Sequence, residues 1–324
     1  MAKTTQIILS DTHFGVRNNS INWLESQKDF IYNQFIPFLK KTSGNKTVIH
    51  LGDVFDSRSS ISPMICKEAN TMLEKISENC DRFIIIAGNH DYFSPIEGND
   101  NSTSLEMLPC LWKSNNIDIQ YQKSLIIDNN AFIPWFDFHN INKLKSIISK
   151  YDIKNIFTHT DLIHLDEETL NLTKGKNIFT GHIHIPMIRS SRGWFTLGSC
   201  YSINYQDANS QRGFYTLEDW NADTLKFYEN TESLKFYRIL NEECLNFEPK
   251  SSRDYVELTI ETDMYEREDI QEAIKELNGK CNFSVIEMEK DIEIGDVMPD
   301  MGLYEIVRNK CPEKLHNKLD SIIS

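Results

Sequence analysis

Five short apolar runs in this chain each end in residues able to bind metals or move protons, and that pattern narrows the fold more than any other feature. Phe83-Ile84-Ile85-Ile86-Ala87 leads into Gly88-Asn89-His90-Asp91. Ile7-Ile8-Leu9-Ser10 ends in Asp11-Thr12-His13, and Val48-Ile49-His50-Leu51 in Gly52-Asp53. Ile156-Phe157-Thr158 ends in His159, and Ile178-Phe179-Thr180-Gly181 in His182-Ile183-His184. A brief apolar run bounded by polar loop residues reads as a buried strand of an α/β sheet. In open α/β sheets ligands gather at the carboxyl ends of the strands. Five strands delivering carboxylates, an amide and imidazoles at the same end predict one shared site.

Helical patterns separate the runs. Residues 20–41 space Ile21, Leu24, Phe30, Ile31, Phe35 and Leu39 along one face, with Ser20 as cap and Pro37 predicting a kink or break. Residues 62–79 start with Pro63 and carry Ile65, Ala69, Met72, Leu73 and Ile76. Strand–helix–strand–helix–strand order implies parallel pairing with right-handed crossovers. A polar loop over 92–104, strands near 117–121, 124–127 and 131–134, and a helix at 140–150 follow. From 178 to 228 short strands and turns predict an antiparallel sheet that completes a two-sheet sandwich. Tyr255 to Ile260 alternates as a half-buried strand, 266–278 reads as a helix, and Phe283 to Ile286 as a strand. Residues 302–323 read as two short amphipathic helices broken at Pro312. The expected division is 1–230 for the main α/β domain, 231–296 for a small α+β domain, and 297–324 for C-terminal helices.

Composition sets the limits. The 324 residues, 40% hydrophobic and 25% charged, suffice for one large domain and a smaller one. No apolar run approaches the roughly 20 residues needed to span a bilayer, and the N-terminus enters a strand directly. The expectation is a cytoplasmic chain without leader, anchor or membrane contact. Seven cysteines are odd in number, scattered, and free of any C-x-x-C pair, so they read as reduced residues rather than a disulfide framework or zinc site. A net charge of −14 argues against a nucleic-acid partner only until it is divided. Residues 1–200 hold 21 acidic and 20 basic side chains, and residues 201–324 the other 27 and 14. The acidity belongs to the C-terminal third, facing solvent or a basic protein partner, and leaves the strand-end motifs near neutral.

Two adjacent divalent cations need a bridging carboxylate with hard oxygen and imidazole ligands on either side. The strand ends supply that set. Asp11 and His13 alternate on an extended segment and can reach one metal, while Asp53, alone after a glycine, is the natural bridge. Asn89 offers a neutral carbonyl oxygen, and His159, His182 and His184 complete the shells. Holding Asp11, His13, Asp53, Asn89, His182 and His184 at apolar strand ends for structural reasons alone would be costly.

Taken in order, D-x-H, G-D-x-x-D, G-N-H-D, a lone strand-end histidine and G-H-x-H resemble the calcineurin-like metallophosphoesterase superfamily. The resemblance implies an α/β fold, a two-sheet β-sandwich flanked by helices. It implies Asp11, His13, Asp53 and His184 on one metal, and Asp53, Asn89, His159 and His182 on the other. His90 would be no ligand; it would contact the scissile phosphate and stabilise or protonate the leaving oxygen, held by Asp91, which would favour its imidazolium. Two cations roughly 3.5–4 Å apart would polarise the phosphoryl oxygens and activate a bridging water for in-line attack.

Within the superfamily, Asp11-Thr12-His13-Phe14-Gly15, Gly52-Asp53-Val54-Phe55-Asp56, Ile133-Pro134-Trp135 and Gly181-His182-Ile183-His184 look like the SbcD-type DNA-repair nucleases, including the recombination nuclease subunits of tailed phages. That likeness implies two divalent metal ions, Mn2+ by preference, with exonuclease activity on duplex DNA ends and endonuclease activity on single strands. It further implies a homodimer, a DNA-capping role for the small α+β domain, and an SbcC-like coiled-coil ATPase gripped by the C-terminal helices. Cellular members often carry histidine where this chain has Asp56, a position tied to substrate handling, and proline where it has Cys200.

Other residues keep two readings. Asp56 is a partner behind a metal ligand or a carboxylate approaching a helix. Arg17 and Arg58 touch DNA phosphates or are solvated. Trp135 reads as core rather than a base-stacking platform, His50 as a packed core histidine, His139 and His316 as surface residues, and His164 as a loop residue. A phosphomonoesterase or cyclic-nucleotide phosphodiesterase of the same superfamily is the competing enzyme reading, and a non-catalytic scaffold the competing reading from another class. The protein-phosphatase branch fits less well, because Arg58 is followed by serine instead of glycine.

Overall fold

The computed structural model describes residues 3–94, 102–108 and 114–288. Strands are numbered in chain order. β1 (Thr4–Leu9), β2 (Asn45–His50), β3 (Arg82–Ile86) and β4 (Ile117–Gln120) pair in parallel, as the crossover order requires. β11 (Gly213–Glu218) and β12 (Asn221–Glu229) extend this first sheet antiparallel from β1. The second sheet runs β5 (Leu125–Ile127), β6 (Asn130–Phe132), β7 (Asn155–Thr158), β8 (Asn177–Thr180), β10 (Trp194–Thr196), β9 (Met187–Arg189).

The two sheets pack face to face over Ile8, Ile49, Ile84, Ile86 and Leu217 from the first and four phenylalanines from the second. Phe132, Phe157, Phe179 and Phe195 stack ring on ring across neighbouring strands at 5.0, 4.9 and 4.6 Å. Burying each such ring contributes about 1.5–3 kcal/mol.

The antiparallel sheet expected over 178–228 is not one sheet. β8 and β10 pair in parallel inside the second sheet, and only β9 at its edge runs antiparallel. β11 and β12 cross to the first sheet. Phe179 and Phe195 face the same inter-sheet core, and that shared burial selects their parallel register over a local hairpin.

The outer face of the first sheet is covered by α1 (Ile21–Asp29), α2 (Ile36–Lys41) and α3 (Pro63–Ser77), the last capped by the Ser62 hydroxyl accepting from the Ile65 N–H. Pro37 does not break the run. Ile36 N–H donates to the Ile31 carbonyl, five residues back, so Phe30–Phe35 form a π-helical stretch that joins α1 to α2. The wider turn accommodates the proline ring and keeps Phe30, Ile31, Phe35 and Leu39 buried. α4 (Trp135–His139), α5 (Ile141–Lys150) and α6 (Glu167–Thr173) lie beyond the second sheet. α6 was not expected, although its Asp166 cap, which accepts from Thr169 N–H, was there to be read.

A third, smaller sheet is wholly parallel: β13 (Phe236–Leu240), β14 (Tyr255–Glu261) and β15 (Asn282–Met288). α7 (Glu268–Lys280) crosses between β14 and β15 and buries Ile270 and Leu277 with Val256, Leu258 and Ile260. β13 went unread, since it lies in a polar stretch. Its Phe236 clusters with Trp23 of α1 and Tyr255, at 5.7 and 4.8 Å, and those two rings lie 6.1 Å from each other. The expected helices at 302–323, and all of 297–324, lie outside the described residues. Among the described residues the cysteines are free, and no helix is long and apolar enough to cross a membrane.

Candidate metal centre

Because β1, β2 and β3 are adjacent and parallel, their following loops open on one edge of the first sheet, and β7 and β8 do the same on the second. The first two loops are laced together: Asp11 N–H donates to the Gly52 carbonyl and His13 N–H to the Asp53 carbonyl, each at 3.0 Å. Asp11, His13, Asp53 and His182 all take positive φ, at 53, 39, 53 and 75°. Each left-handed non-glycine residue costs about 1–3 kcal/mol, and such strain gathers at functional sites. Two glycines make room. A Cβ on Gly52, whose own φ is 105°, would lie 2.6 Å from His159 Nδ1, and a Cβ on Gly88 would collide with Asp53 Oδ1.

The side chains converge in two groups that share a wall. Asp11, His13 and His184 form one, and Asp53, His159 and His182 the other, while His13 also meets Asp56 and His90 in a third. His13 Nε2 lies 3.2 Å from His184 Nε2, 3.8 Å from Asp11 Oδ1 and 3.7 Å from Asp53 Oδ2. Across Asp53, His159 Nε2 is 3.2 Å from Oδ2. Asn89 Oδ1 sits 3.1 Å from His159 Nε2 and 2.9 Å from His182 Nδ1. His159 Nδ1–H donates to the Leu51 carbonyl at 2.8 Å, which turns its other nitrogen into the site.

Charge balance in this pocket is unusual. Asp11 and Asp53 are 0% and 2% exposed, and among the described residues no lysine or arginine pairs with either. Burial alone would raise Asp11, yet His13, His159 and His184 bring it down to about 2. Asp53 is likewise held well below the usual range against its burial, chiefly by His159. Burial would lower His13, but Asp11, Asp56 and Asp53 lift it to about 10; Asp53 and Asp11 lift His159 to about 9 against the same penalty. His182 and His184, lacking so close a carboxylate, are lowered by burial. Buried carboxylates, an amide oxygen and convergent ring nitrogens are a donor set that fits divalent metal ions.

Residues 5–209, which take in every one of these strand ends, match the family model for calcineurin-like phosphoesterases. The chain belongs to that family. Exonuclease subunit 1 of Enterobacteria phage T4 is 23% identical to this phosphoesterase over 236 residues, 68% of this chain and 66% of that protein. The match thus spans slightly less than two thirds of the phage protein's own length. Among solved structures, phosphopantetheinyl hydrolase from Mycobacterium tuberculosis matches at 12% identity and a TM-score of 0.38, over 70% of this chain and 96% of its own, too loosely to bear on substrate.

One expected role in this phosphoesterase is corrected. Asp91 does not hold His90. The tight turn after β3 points Asp91 inward, where its carboxylate accepts N–H groups from Val54 at 2.9 Å, Phe55 at 3.2 Å and Gly88 at 2.9 Å. Fully buried, and beside Asp53, it is pushed up to about 7. Asp91 is a clamp between the β2 and β3 loops. The His90 ring instead donates Nδ1–H to the main-chain carbonyl of Asp56 at 2.6 Å, while His90 N–H donates to Asp53 Oδ1 at 2.8 Å.

The remaining expectations sort plainly. Arg17 is exposed, with its guanidinium over Trp23 and Phe236 at 5.9 Å each. Arg58 is half-buried and makes no ion pair among the described residues. His164 is exposed and bonds Asp161, and His139 is a surface residue. Trp135 is half-buried against the helical core.

Two supporting residues were not foreseen. His50, fully buried and driven by burial down to about 3, is more than core filling: Nδ1 accepts Gly52 N–H at 3.2 Å and Nε2 donates to Thr12 Oγ1 at 3.0 Å. Gln27 of α1 donates Nε2–H to the carbonyls of Thr12 at 2.9 Å and His13 at 3.3 Å. Its one signal was a polar residue on the buried stripe of Leu24, Phe30 and Ile31.

Proposed function

We propose that this phosphoesterase is the metal-dependent DNA nuclease subunit of an SbcCD-like complex, exonucleolytic on duplex ends and endonucleolytic on single strands. The observation that carries the reading is a pair of donor groups, Asp11-His13-His184 and Asp53-His159-His182, linked where Asp53 Oδ2 lies 3.7 Å from His13 Nε2, with the His90 ring beside them; the His90 and His13 ring centroids are 5.0 Å apart. The similarity to a phage exonuclease subunit supports DNA as substrate. Asp11, His13, Asp53 and His184 would hold one divalent cation, and Asp53, Asn89, His159 and His182 the second, by preference Mn2+. When bound, such a pair supplies Lewis acidity toward the phosphoryl oxygens and lowers the pKa of water between them.

The chain's own residues do the rest. Asn89 and the imidazoles seat the scissile phosphate's neighbourhood, and Asp53, pinned by His90 N–H, keeps the two halves in register. His90 is held through Nδ1, so Nε2 is the atom free to give a proton to the leaving oxygen as its P–O bond breaks. The small α+β domain at 231–296 would cap DNA over this edge, and 297–324 would engage a coiled-coil ATPase.

The test is an assay with Mn2+ on linear duplex DNA, single-stranded DNA and a small chromogenic phosphodiester. Both DNAs should be cut; cleavage of the small ester alone would return the reading to a phosphodiesterase of the same family. His90→Gln should lower turnover about 10²–10⁴-fold with metal content intact, whereas Asp53→Asn should lose both. An Asp53→Asn protein that still held two Mn2+ would refute the bridge.

A further inference from the structure

We infer that Asp56 is a positioning residue that orients two imidazoles through two different atoms, its carboxylate behind the metal-side histidine His13 and its main-chain carbonyl behind His90. The inference rests on the reading of the cluster as a metal centre. His13 is 3% exposed, and its Nε2 faces Asp11, Asp53 and His184. Its Nδ1 points the other way, to Asp56 Oδ1 at 3.4 Å, long for a hydrogen bond, and no other protein group bonds that nitrogen among the described residues. A neutral imidazole that offers Nε2 to a cation carries its proton on Nδ1. A carboxylate facing Nδ1 selects that tautomer, fixes the ring and makes Nε2 the better donor.

The backbone keeps Asp56 in place for this work. Phe14 and Phe55 pair as an isolated parallel bridge, and Asp56 N–H donates to the Phe14 carbonyl at 3.1 Å, so Asp56 is tied to the segment that follows His13. The same residue's carbonyl takes the His90 Nδ1–H at 2.6 Å. One residue therefore couples the metal side of the site to the proton-donating side. A side-chain substitution removes the first contact and spares the second.

The experiment uses full-length wild type, Asp56→Asn and Asp56→Glu, with Mn2+ as the binding probe and diamagnetic Zn2+ for spectroscopy. Isothermal titration and bound-metal analysis with Mn2+ give affinity and stoichiometry, and ¹⁵N histidine spectra of the Zn2+-loaded protein report the His13 tautomer. Asp56→Asn should keep two Mn2+ per chain while weakening one of them about 10–100-fold, and the Nδ1–H tautomer of His13 should lose population. Asp56→Glu should recover part of both. The Mn2+ concentration for half-maximal turnover should rise in step with Kd, while KM for DNA at saturating Mn2+ holds. Unchanged Mn2+ affinity together with a raised KM for DNA would overturn the proposal and make Asp56 a substrate contact. Loss of a third Mn2+ equivalent would also overturn it, making Asp56 a ligand with His13 and His90. Wild-type protein that takes up no Mn2+ would instead overturn the metal reading on which the inference stands.

Discussion

His13 and His159 do in the metal-free chain what cations would do in the loaded one. Asp11 and Asp53 are buried with no lysine or arginine paired to them among the described residues, so their charge is met by the proton on His13, lifted to about 10, and on His159, lifted to about 9. Below the ordinary histidine value of 6.5, folded and unfolded chains both hold those protons, and the contribution to stability is complete. Between 6.5 and about 9 to 10 only the folded chain holds them, so metal-free stability from these groups falls as pH rises. Metal binding has the opposite sign, since a cation must displace the same protons. We predict that Mn2+ affinity climbs steadily from pH 6.5 toward 9, with proton release measured by titration calorimetry in buffers of different ionisation enthalpy. Affinity flat over that range would show that the imidazoles are already neutral.

At the level of elements, the strand ends are only as well placed as the sheets beneath them. The phenylalanine stack spans β6, β7, β8 and β10, and β7 and β8 carry His159, His182 and His184 at their ends. Phe157 is flanked by rings on both sides and has no exposed surface. Phe157→Ala should cost about 3–5 kcal/mol, read as a lower urea midpoint with unchanged slope, and Phe157→Leu should cost less. A loss under about 1 kcal/mol would mean the sheets repack without the ring. Helix register follows the same logic: the π-helical stretch ahead of Pro37 keeps α1 and α2 on one apolar stripe, so Gln27 still reaches the loop between Asp11 and His13.

At the level of the whole molecule, the third sheet is joined to the phosphoesterase through an aromatic seam. Trp23, Phe236 and Tyr255 pack against one another, each ring touching the other two, and Arg17, four residues past His13, lies over the first two rings. The seam links the small parallel sheet to the loop that begins at Asp11. If the proposed ATPase partner is engaged by the C-terminal segment, deletion of 302–324 should abolish binding of an SbcC-like protein, measured by sedimentation, while single-stranded DNA is still cut. Retained binding would place the partner contact elsewhere.

The sequence by itself determined which side chains meet and at what end of which strands, because a buried strand announces itself in five consecutive residues and so does the loop that ends it. Asp11, His13, Asp53, Asn89, His159, His182 and His184 come together on that ground alone. Only the tertiary structure decided what stands behind them. Asp91 gathers three main-chain N–H groups rather than an imidazole, His50 ties two loops, and β8 takes β10 as a parallel neighbour. Those outcomes depend on partners tens of residues away, chosen by burial and by the direction a tight turn gives a side chain, and neither quantity is carried in a local pattern.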